Sequence, residues 1–470
     1  MKTIHAPQNL SAQQIKAEIA RFAKKVRELL DQKTIEEYAR GTGFVERQSK
    51  LTGHLFLSVF TFGFSIYGTP TLTQLVGLLN MVVPELKITR QGLHDRIDDS
   101  AVAFFEKMLS STIALELPKR LSRAMEAIDS YFRRIFILDS TSFQLPKELV
   151  QYFRGSGGGG SEAAIKITFG YDIKAGEFFN LISDGVANDS LSQNGFHHKM
   201  DAGDLEISDL GFFNIEAFAE IDEKGAFYLS RLRTDVKVYQ FKGKCLEEFD
   251  LCKFAKSLSF DRTEVEVYLK KGPLITKTRL IIERVPDEVK ATRLSKQNQI
   301  SRKKGHTTRK RVKTLAGFNL YITNASAEKI SGCKIRLMYT IRWQIELVFK
   351  SWKSNFALAE IAGKKAARIK CMIYAKLIWI FITTKITHTA RDWLWLEHNK
   401  EVSCFQAAKY LKTIAYHLLI AIIQKPQNIP QILVQAMTFI KNSCVKSRTR
   451  KRKHPLELLQ ELRCFLIPKG

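Results

Sequence analysis

Apolar residues at three- and four-residue steps organise the first part of the chain. Ile15, Ile19, Phe22, Val26 and Leu29 follow that spacing behind Ser11, which predicts a helix capped by Ser11 and running to about Leu30. Leu55 to Ile66 is mostly apolar and reads as a buried helix or a pair of turns. Thr71 to Met81 predicts a short helix after Pro70, and Pro84 breaks the chain. Thr89 then caps Arg90 to Arg96. Residues 1–125 are therefore expected to be helical.

At Arg133 the period changes. Ile135 to Leu138 is a continuous apolar run, a short strand buried on both faces and ended by Asp139. A carboxylate there is either a loop cap or a site residue at a sheet edge. Gly155 to Ser161 lacks the Gly-Lys-Ser/Thr ending of a phosphate loop and reads as a flexible linker. Ala164 to Tyr171 and Glu177 to Ser183 predict two more strands, joined by a turn at Lys174 to Gly176. Leu205 to Asp209 predicts a fourth strand, again closing on an aspartate. Asn214 opens a helix to about Lys224, and Ala226 to Leu232 is a fifth strand. This is the element order of the ribonuclease-H-like fold, in which strands one and four are neighbours and their terminal carboxylates can meet.

Residues 233–325 read as an insertion. Asp235 to Phe241, Thr263 to Lys270, Arg279 to Arg284 and Gly317 to Thr323 alternate like strands of a separate small sheet. Between them, Lys290 to Lys313 holds ten Lys or Arg and no acid, which predicts a phosphate-contacting loop; Arg302, Lys303, Lys304, Arg309, Lys310 and Arg311 are its candidates.

Ile335 to Phe356 contains no Pro or Gly and predicts one helix. Tyr339, Arg342, Glu346 and Lys353 share one face at steps of three, four and seven. Met338, Ile341, Ile345, Phe349 and Trp352 form an apolar stripe beside it. The bland alternative is an exposed Arg342/Glu346 pair one turn apart. Lys364 to Lys385 and Ala407 to Gln424 predict apolar helices that pack as a core or a dimer interface. Lys446 to Lys453 is a second basic run, either a DNA contact or a solubilising tail.

Composition sharpens the picture. The 470 residues carry 74 Lys and Arg against 47 Asp and Glu, a formal charge of +27, which favours polyanionic partners and nucleic acid first. That charge gives weight to a helix-turn-helix reading of the segment ending in Arg90 to Arg96, with Arg90 and Arg96 as DNA contacts, although many helical bundles share the pattern. The most apolar stretches fall short of the roughly 20 residues a bilayer requires. Seven scattered cysteines without metal-ligand spacing point to reduced thiols and a cytoplasmic protein. His197 and His198 near Asp201 and Asp204 read as a polar loop rather than a metal site.

Asp139, Asp209 and Glu346 can converge at one sheet edge. Three close carboxylates repel and raise one another's pKa unless cations neutralise them. Hard oxygen ligands suit Mg²⁺ or Mn²⁺, and two such ions support an in-line phosphoryl displacement.

Here the sequence resembles the DDE transposases of bacterial insertion sequences, in particular the group named for a Tyr-x2-Arg-x3-Glu-x6-Lys signature. Tyr339, Arg342, Glu346 and Lys353 match it without a gap, and the Asp139-Ser-Thr and Asp209-Leu-Gly-Phe segments match the surroundings of the family's two aspartates. The resemblance implies an α+β, multidomain layout: a helical DNA-binding region (1–125), a ribonuclease-H-like catalytic domain in two parts (126–232 and 326–360), a β-rich basic insertion (233–325) and a helical C-terminal region with a basic tail (361–470). It implies Asp139, Asp209 and Glu346 as ligands of two Mg²⁺ or Mn²⁺ ions, with Tyr339, Arg342 and Lys353 holding phosphates or a flipped base. It further implies cleavage of double-stranded DNA at terminal inverted repeats, transfer of the 3′-hydroxyls into target DNA, a homodimer in the synaptic complex and association with the nucleoid. Hairpin-forming relatives stack a Trp of the insertion on the flipped base; residues 233–325 here have none, leaving Tyr239, Phe260, Tyr268 or Tyr321 as substitutes. Asp184 and Asp189 compete with Asp209, with Asp189 in reserve. A ribonuclease-H-like nuclease without strand transfer, or an inactive DNA-binding descendant, are the alternative functions.

Overall fold

The computed structural model describes residues 11–47, 49–115, 132–155, 162–172, 177–184 (backbone only), 200–303, 305–340, 342, 354, 358, 360, 363–398 and 400–446. The N-terminal helices are α1 (Ala12–Leu29), α2 (Gln32–Gly41), α3 (Gly53–Tyr67), α4 (Leu72–Val82), α5 (Arg90–Asp95) and α6 (Asp99–Ala114). Their starts are set by side chains that satisfy otherwise orphaned N–H groups. Ser11 and Gln14 form a reciprocal capping box at α1, and Thr71 and Gln74 form another at α4. The stretch read as a helix or a pair of turns is the single helix α3, buried almost throughout and stopped by Gly68, whose φ of 79° is a conformation glycine adopts at little cost.

Among the described residues, ten strands follow: β1 (Ile135–Leu145), β2 (Ala163–Asp172), β3 (Glu177–Asp184), β4 (Leu205–Ile207), β5 (Phe227–Arg231), β6 (Tyr239–Lys242), β7 (Cys245–Glu248), β8 (Arg262–Lys271), β9 (Leu274–Arg284) and β10 (Phe318–Thr323). They form one mixed sheet in the order β3-β2-β1-β4-β5-β10-β9-β8-β6-β7. β1, β4 and β5 run parallel, and the other pairings are antiparallel. Interspersed with and following these strands are α7 (Ile215–Glu223), α8 (Leu251–Ser257), α9 (Asp287–Lys303), α10 (Lys310–Leu315), α11 (Gly332–Thr340), α12 (Ala366–His398), α13 (Cys404–Thr413), α14 (Ala415–Gln424) and α15 (Ile429–Ser443).

Several expectations are corrected here. The inserted strands do not make a separate sheet: β10 pairs with β5, at Tyr321 with Arg231 and Thr323 with Leu229, and so continues the first five strands. Asp139 does not end β1, because Thr141, Phe143 and Leu145 keep the buried alternation going and the strand stays paired with β2 to Leu145. The basic run is not a loop; α9 and α10 carry most of it. The C-terminal apolar stretch breaks at Ile414 into α13 and α14.

Two cores cover the two faces of the sheet. On one face Ile137, Ile207, Leu229, Ile281 and Tyr321 share a cluster with the N- and C-terminal helices; on the other Phe136, Tyr228, Leu280, Leu320 and Ile322 pack with Phe218 of α7 and Leu251 of α8. The 33-residue α12 runs through the first core. Phe62 of α3 lies 5.0 Å from Trp379, and Phe381 lies 6.1 Å from Phe169 of β2. Between the two readings of the apolar C-terminal helices, α12 is a core element. Among the described residues no single helix is long and apolar enough to cross a membrane, and α3 and α4, which pass such a test only as a pair, are bent by 113°.

Candidate active site

The parallel pairing of β1 with β4 sets the geometry. Ile135, Phe136 and Ile137 stand opposite Leu205, Glu206 and Ile207. Two residues beyond the last pair come Asp139 on β1 and Asp209 after β4. Adjacent strands lie about 4.8 Å apart, and side chains alternate with period two, so both carboxylates fall at one level and on the face that carries Ile137 and Ile207. This is the carboxyl edge of parallel strands, where ligands of open α/β sheets bind.

Neither aspartate does the work of a helix cap. Asp209 precedes the short 3₁₀ turn Leu210–Phe212 and makes no side-chain capping bond to it. The Asp139 carboxylate accepts the Ser140 N–H at 2.8 Å from within the strand. Both are half-buried.

α11 brings the first residues of the Tyr-Arg-Glu-Lys face to this edge. The Tyr339 hydroxyl donates to Asp209 Oδ1 at 3.4 Å. The Arg342 guanidinium lies 5.6 Å from the Tyr339 ring and is itself buried. Burial pushes the Tyr339 phenol well above its ordinary value; Arg342 opposes that rise and Asp209 adds to it. The phenol therefore stays protonated and available as a donor. Glu346, Lys353 and the continuation of the expected helix lie outside the described residues.

The other acids fall elsewhere. Asp184 ends β3, opposite Ile165, two strands out from β1 and level with Phe143 rather than Asp139. Asp189 lies outside the described residues, as do His197 and His198. Asp201 and Asp204 are held by arginines at the start of β1: Asp204, fully buried, takes 2.9 Å and 2.6 Å contacts from Arg133 and Arg134. Burial raises the Asp204 carboxyl, and those hydrogen bonds more than offset it, leaving its pKa below the ordinary value.

The basic candidates divide by what their side chains touch. Arg90, Arg302, Lys303, Arg309 and Lys310 are exposed. Arg96 turns inward to the Phe44 carbonyl at 3.0 Å and lies 4.5 Å from the Phe44 ring. Arg311 donates to the carbonyls of Thr234 and Val236 at 2.7 and 2.8 Å. Lys304 and the tail beyond Lys446 lie outside the described residues. Lys290, Lys310 and Lys313 of α9 and α10 line an open groove of about 920 Å³ together with Lys256, Arg284 and Arg336. Of the candidate stacking residues, Phe260 is exposed, Tyr239 and Tyr268 are half-buried, and Tyr321 is buried with its ring 5.3 Å from Tyr339. Sequence reasoning did not single out Arg231, which ends β5 next to Asp209. No local signal marks it, because the sequence reads Arg231 inside a strand running to Leu232, and only the pairing of β5 with β4 brings it level with Asp209.

The family described as Transposase DDE domain matches residues 130–382. The chain is 31% identical over 467 residues to the transposase for insertion sequence element IS231C of Bacillus thuringiensis subsp. berliner, covering 96% of each chain. It is 31% identical over 461 residues to that for IS231E of Bacillus thuringiensis subsp. finitimus, covering 95% of this chain and 96% of the relative. It is 28% identical over 458 residues to that for IS1151 of Clostridium perfringens, covering 93% of this chain and 96% of the relative. Similarity thus runs through the helices and the sheet alike, and the chain belongs to the DDE transposases of bacterial insertion sequences, a family of enzymes that act on DNA.

Proposed function

We propose that this transposase cleaves DNA at the terminal inverted repeats of its element and joins the freed 3′-hydroxyls to target DNA, with Asp139, Asp209 and Glu346 as the catalytic acids. The observation that carries the reading is the meeting of three separate segments at one edge: Asp139 and Asp209 level on adjacent strands, and Tyr339 of the signature helix bonded to Asp209. The strand order β3-β2-β1-β4-β5, with only β1, β4 and β5 parallel, supports a ribonuclease-H-like catalytic domain. In this layout β6 to β10 are the insertion, extending the same sheet.

The donor set fits Mg²⁺ or Mn²⁺: carboxylate oxygens at a strand edge, with Asp209 free of any capping duty. Asp139, Asp209 and Glu346 would hold the ions, which when bound lower the pKa of the attacking hydroxyl and stabilise charge on the leaving oxygen. The chain's own residues do the rest. Tyr339 orients the Asp209 carboxylate through its hydroxyl, and Arg342 and Lys353 place phosphates beside it. The exposed Arg302, Lys303, Arg309, Lys310 and Arg90 hold duplex backbone further out, and Lys304 joins them in the sequence. Two ends joined in concert call for a homodimer in the synaptic complex.

The test incubates the purified chain with Mg²⁺ and a DNA fragment carrying the inverted repeats that flank the reading frame. Strand-transfer products are expected, and Asp139→Asn, Asp209→Asn and Glu346→Gln should each abolish cleavage while leaving end binding in place. Cleavage without joining would favour a plain nuclease. Full cleavage by Glu346→Gln would remove that residue from the triad.

A further inference from the structure

The signature helix rests on strands that the sequence reads as an insertion. Ile335, Met338 and Tyr339 of α11 share one core with Ile281 of β9 and Tyr321 of β10, which pair side by side. Leu280 and Ile282 belong to the opposite core. By the period-two alternation, Arg279, Ile281 and Glu283 therefore stand on the α11 side of the sheet.

The two charged members of that row hold the helix at its start and one turn along. Arg279, its side chain 15% exposed, donates to the Ile330 carbonyl at 2.5 Å, two residues before α11, and to Glu264 of β8 at 3.2 Å. Glu264 in turn lies so close to Gly332, the first residue of α11, that a Cβ there would overlap its carboxylate. One turn further, Arg336 lies 3.6 Å from Glu283, which is buried. Glu283 also accepts from Asn319 of β10 at 3.1 Å and from Arg262 of β8 at 3.4 Å. Its carboxylate is thus fixed by both neighbouring strands before it meets the helix.

The next turn of α11 carries Tyr339, whose hydroxyl reaches Asp209 at 3.4 Å. That is long for a hydroxyl donor, for which about 2.5–3.0 Å is usual. One residue of helix rises about 1.5 Å, so a slip of a fraction of a residue breaks the bond. Apolar packing is non-directional and tolerates such a slip. A buried carboxylate adds little net stability through its ion pair, but its directional contacts can fix register.

We propose that Arg279 and Glu283 of β9 are positioning residues for the reaction. They set α11 at the height where Tyr339 meets Asp209, so the insertion holds one side of the active site in register. This rests on the reading of Asp139 and Asp209 as catalytic acids.

The test uses the full chain, Mg²⁺ and a duplex bearing the flanking inverted repeats. Glu283→Gln and Arg279→Gln should each lower kcat for cleavage about tenfold and raise the Mg²⁺ concentration needed for half-maximal rate, as for groups that orient a metal-ligating carboxylate. KM for the duplex should hold in Glu283→Gln, which removes no cation. In a Tyr339→Phe background the same substitutions should cost at most about twofold, because the contact they serve is already gone. A merely structural role would slow both backgrounds alike. Arg336→Gln breaks the pair with Glu283 from the exposed side of the helix and decides the matter where a β9 variant fails to fold; Arg336→Lys should recover most of the rate. Slowing that persists undiminished in the Tyr339→Phe background overturns the proposal. So does an unchanged kcat in Glu283→Gln and Arg336→Gln while Asp209→Asn is inactive, and the acids then stand. Normal cleavage by Asp209→Asn overturns the site and the proposal together.

Discussion

At the scale of single residues, the contact between Tyr339 and Asp209 separates a binding role from a chemical one. The phenol is buried and protonated, so it offers one O–H to one carboxylate oxygen. Groups that orient a metal-ligating carboxylate typically contribute ten- to a hundredfold to affinity or activity. Tyr339→Phe keeps the ring against Tyr321 and removes only the donor. It should therefore lower kcat by about tenfold and raise the Mg²⁺ concentration needed for half-maximal rate. The salt dependence of DNA binding should not move, because the change removes no charge. A Phe variant with wild-type kcat and Mg²⁺ dependence would reduce the contact to packing. Residue identity alone did not show which arginines face outward. Arg96 and Arg311 sit in basic surroundings in the sequence, yet each is committed to backbone carbonyls that only the folded chain brings near.

At the scale of elements, legibility followed whether a signal was local. The Ser11, Thr89 and Asn214 caps were readable because a cap acts within three residues. The first five strands were readable from their apolar runs. Their register was not, since it is fixed by pairing between segments about 70 residues apart, and that register is what aligns Asp139, Asp209 and Arg231. The join of β10 to β5 was hidden for the same reason. α12 illustrates another limit, because its sequence shows lysines where the structure has core. Lys376 is 2% exposed, donates to the Glu360 carbonyl at 2.5 Å and lies 5.3 Å from the Phe64 ring. Burial lowers its pKa from 10.5 to about 8. Between those values the unfolded chain holds a proton that the folded chain has released, so stability should rise as pH climbs from about 8 to about 10.5. The full rise from this group is about 3 kcal/mol at 1.36 kcal/mol per pKa unit. Denaturant unfolding at several pH values should show that rise in the wild type and a flatter profile in Lys376→Met. Parallel profiles would assign the burial penalty elsewhere.

At the scale of the whole molecule, the helical regions at the two ends of the chain are one body. α1 packs on α15, and α12 packs on α3 and α6. The Lys385 ammonium reaches the carbonyls of Ile113 and Leu115 at the end of α6, and Gln424 donates to the Val82 carbonyl at 2.9 Å. The same core continues onto the sheet face that bears the aspartate row, through Phe381 on Phe169 and His388 beside Tyr171. A chain stopped at residue 360 would keep β1 to β10 and α11. It would strip α1, α3, α6 and that sheet face of their cover, exposing core residues such as Phe62, Ile137 and Phe169. Burial of one such side chain contributes about 1.5–3 kcal/mol, so uncovering several removes an amount comparable to the roughly 5–15 kcal/mol that holds a typical domain folded. The truncated chain should therefore aggregate or expose dye-binding apolar surface, and supplying residues 361–470 as a second polypeptide should restore solubility and cooperative melting. A monodisperse 1–360 fragment with a sharp melting transition would show instead that the C-terminal helices are a separable module, and that the sheet face bearing Asp139 and Asp209 is stable without them.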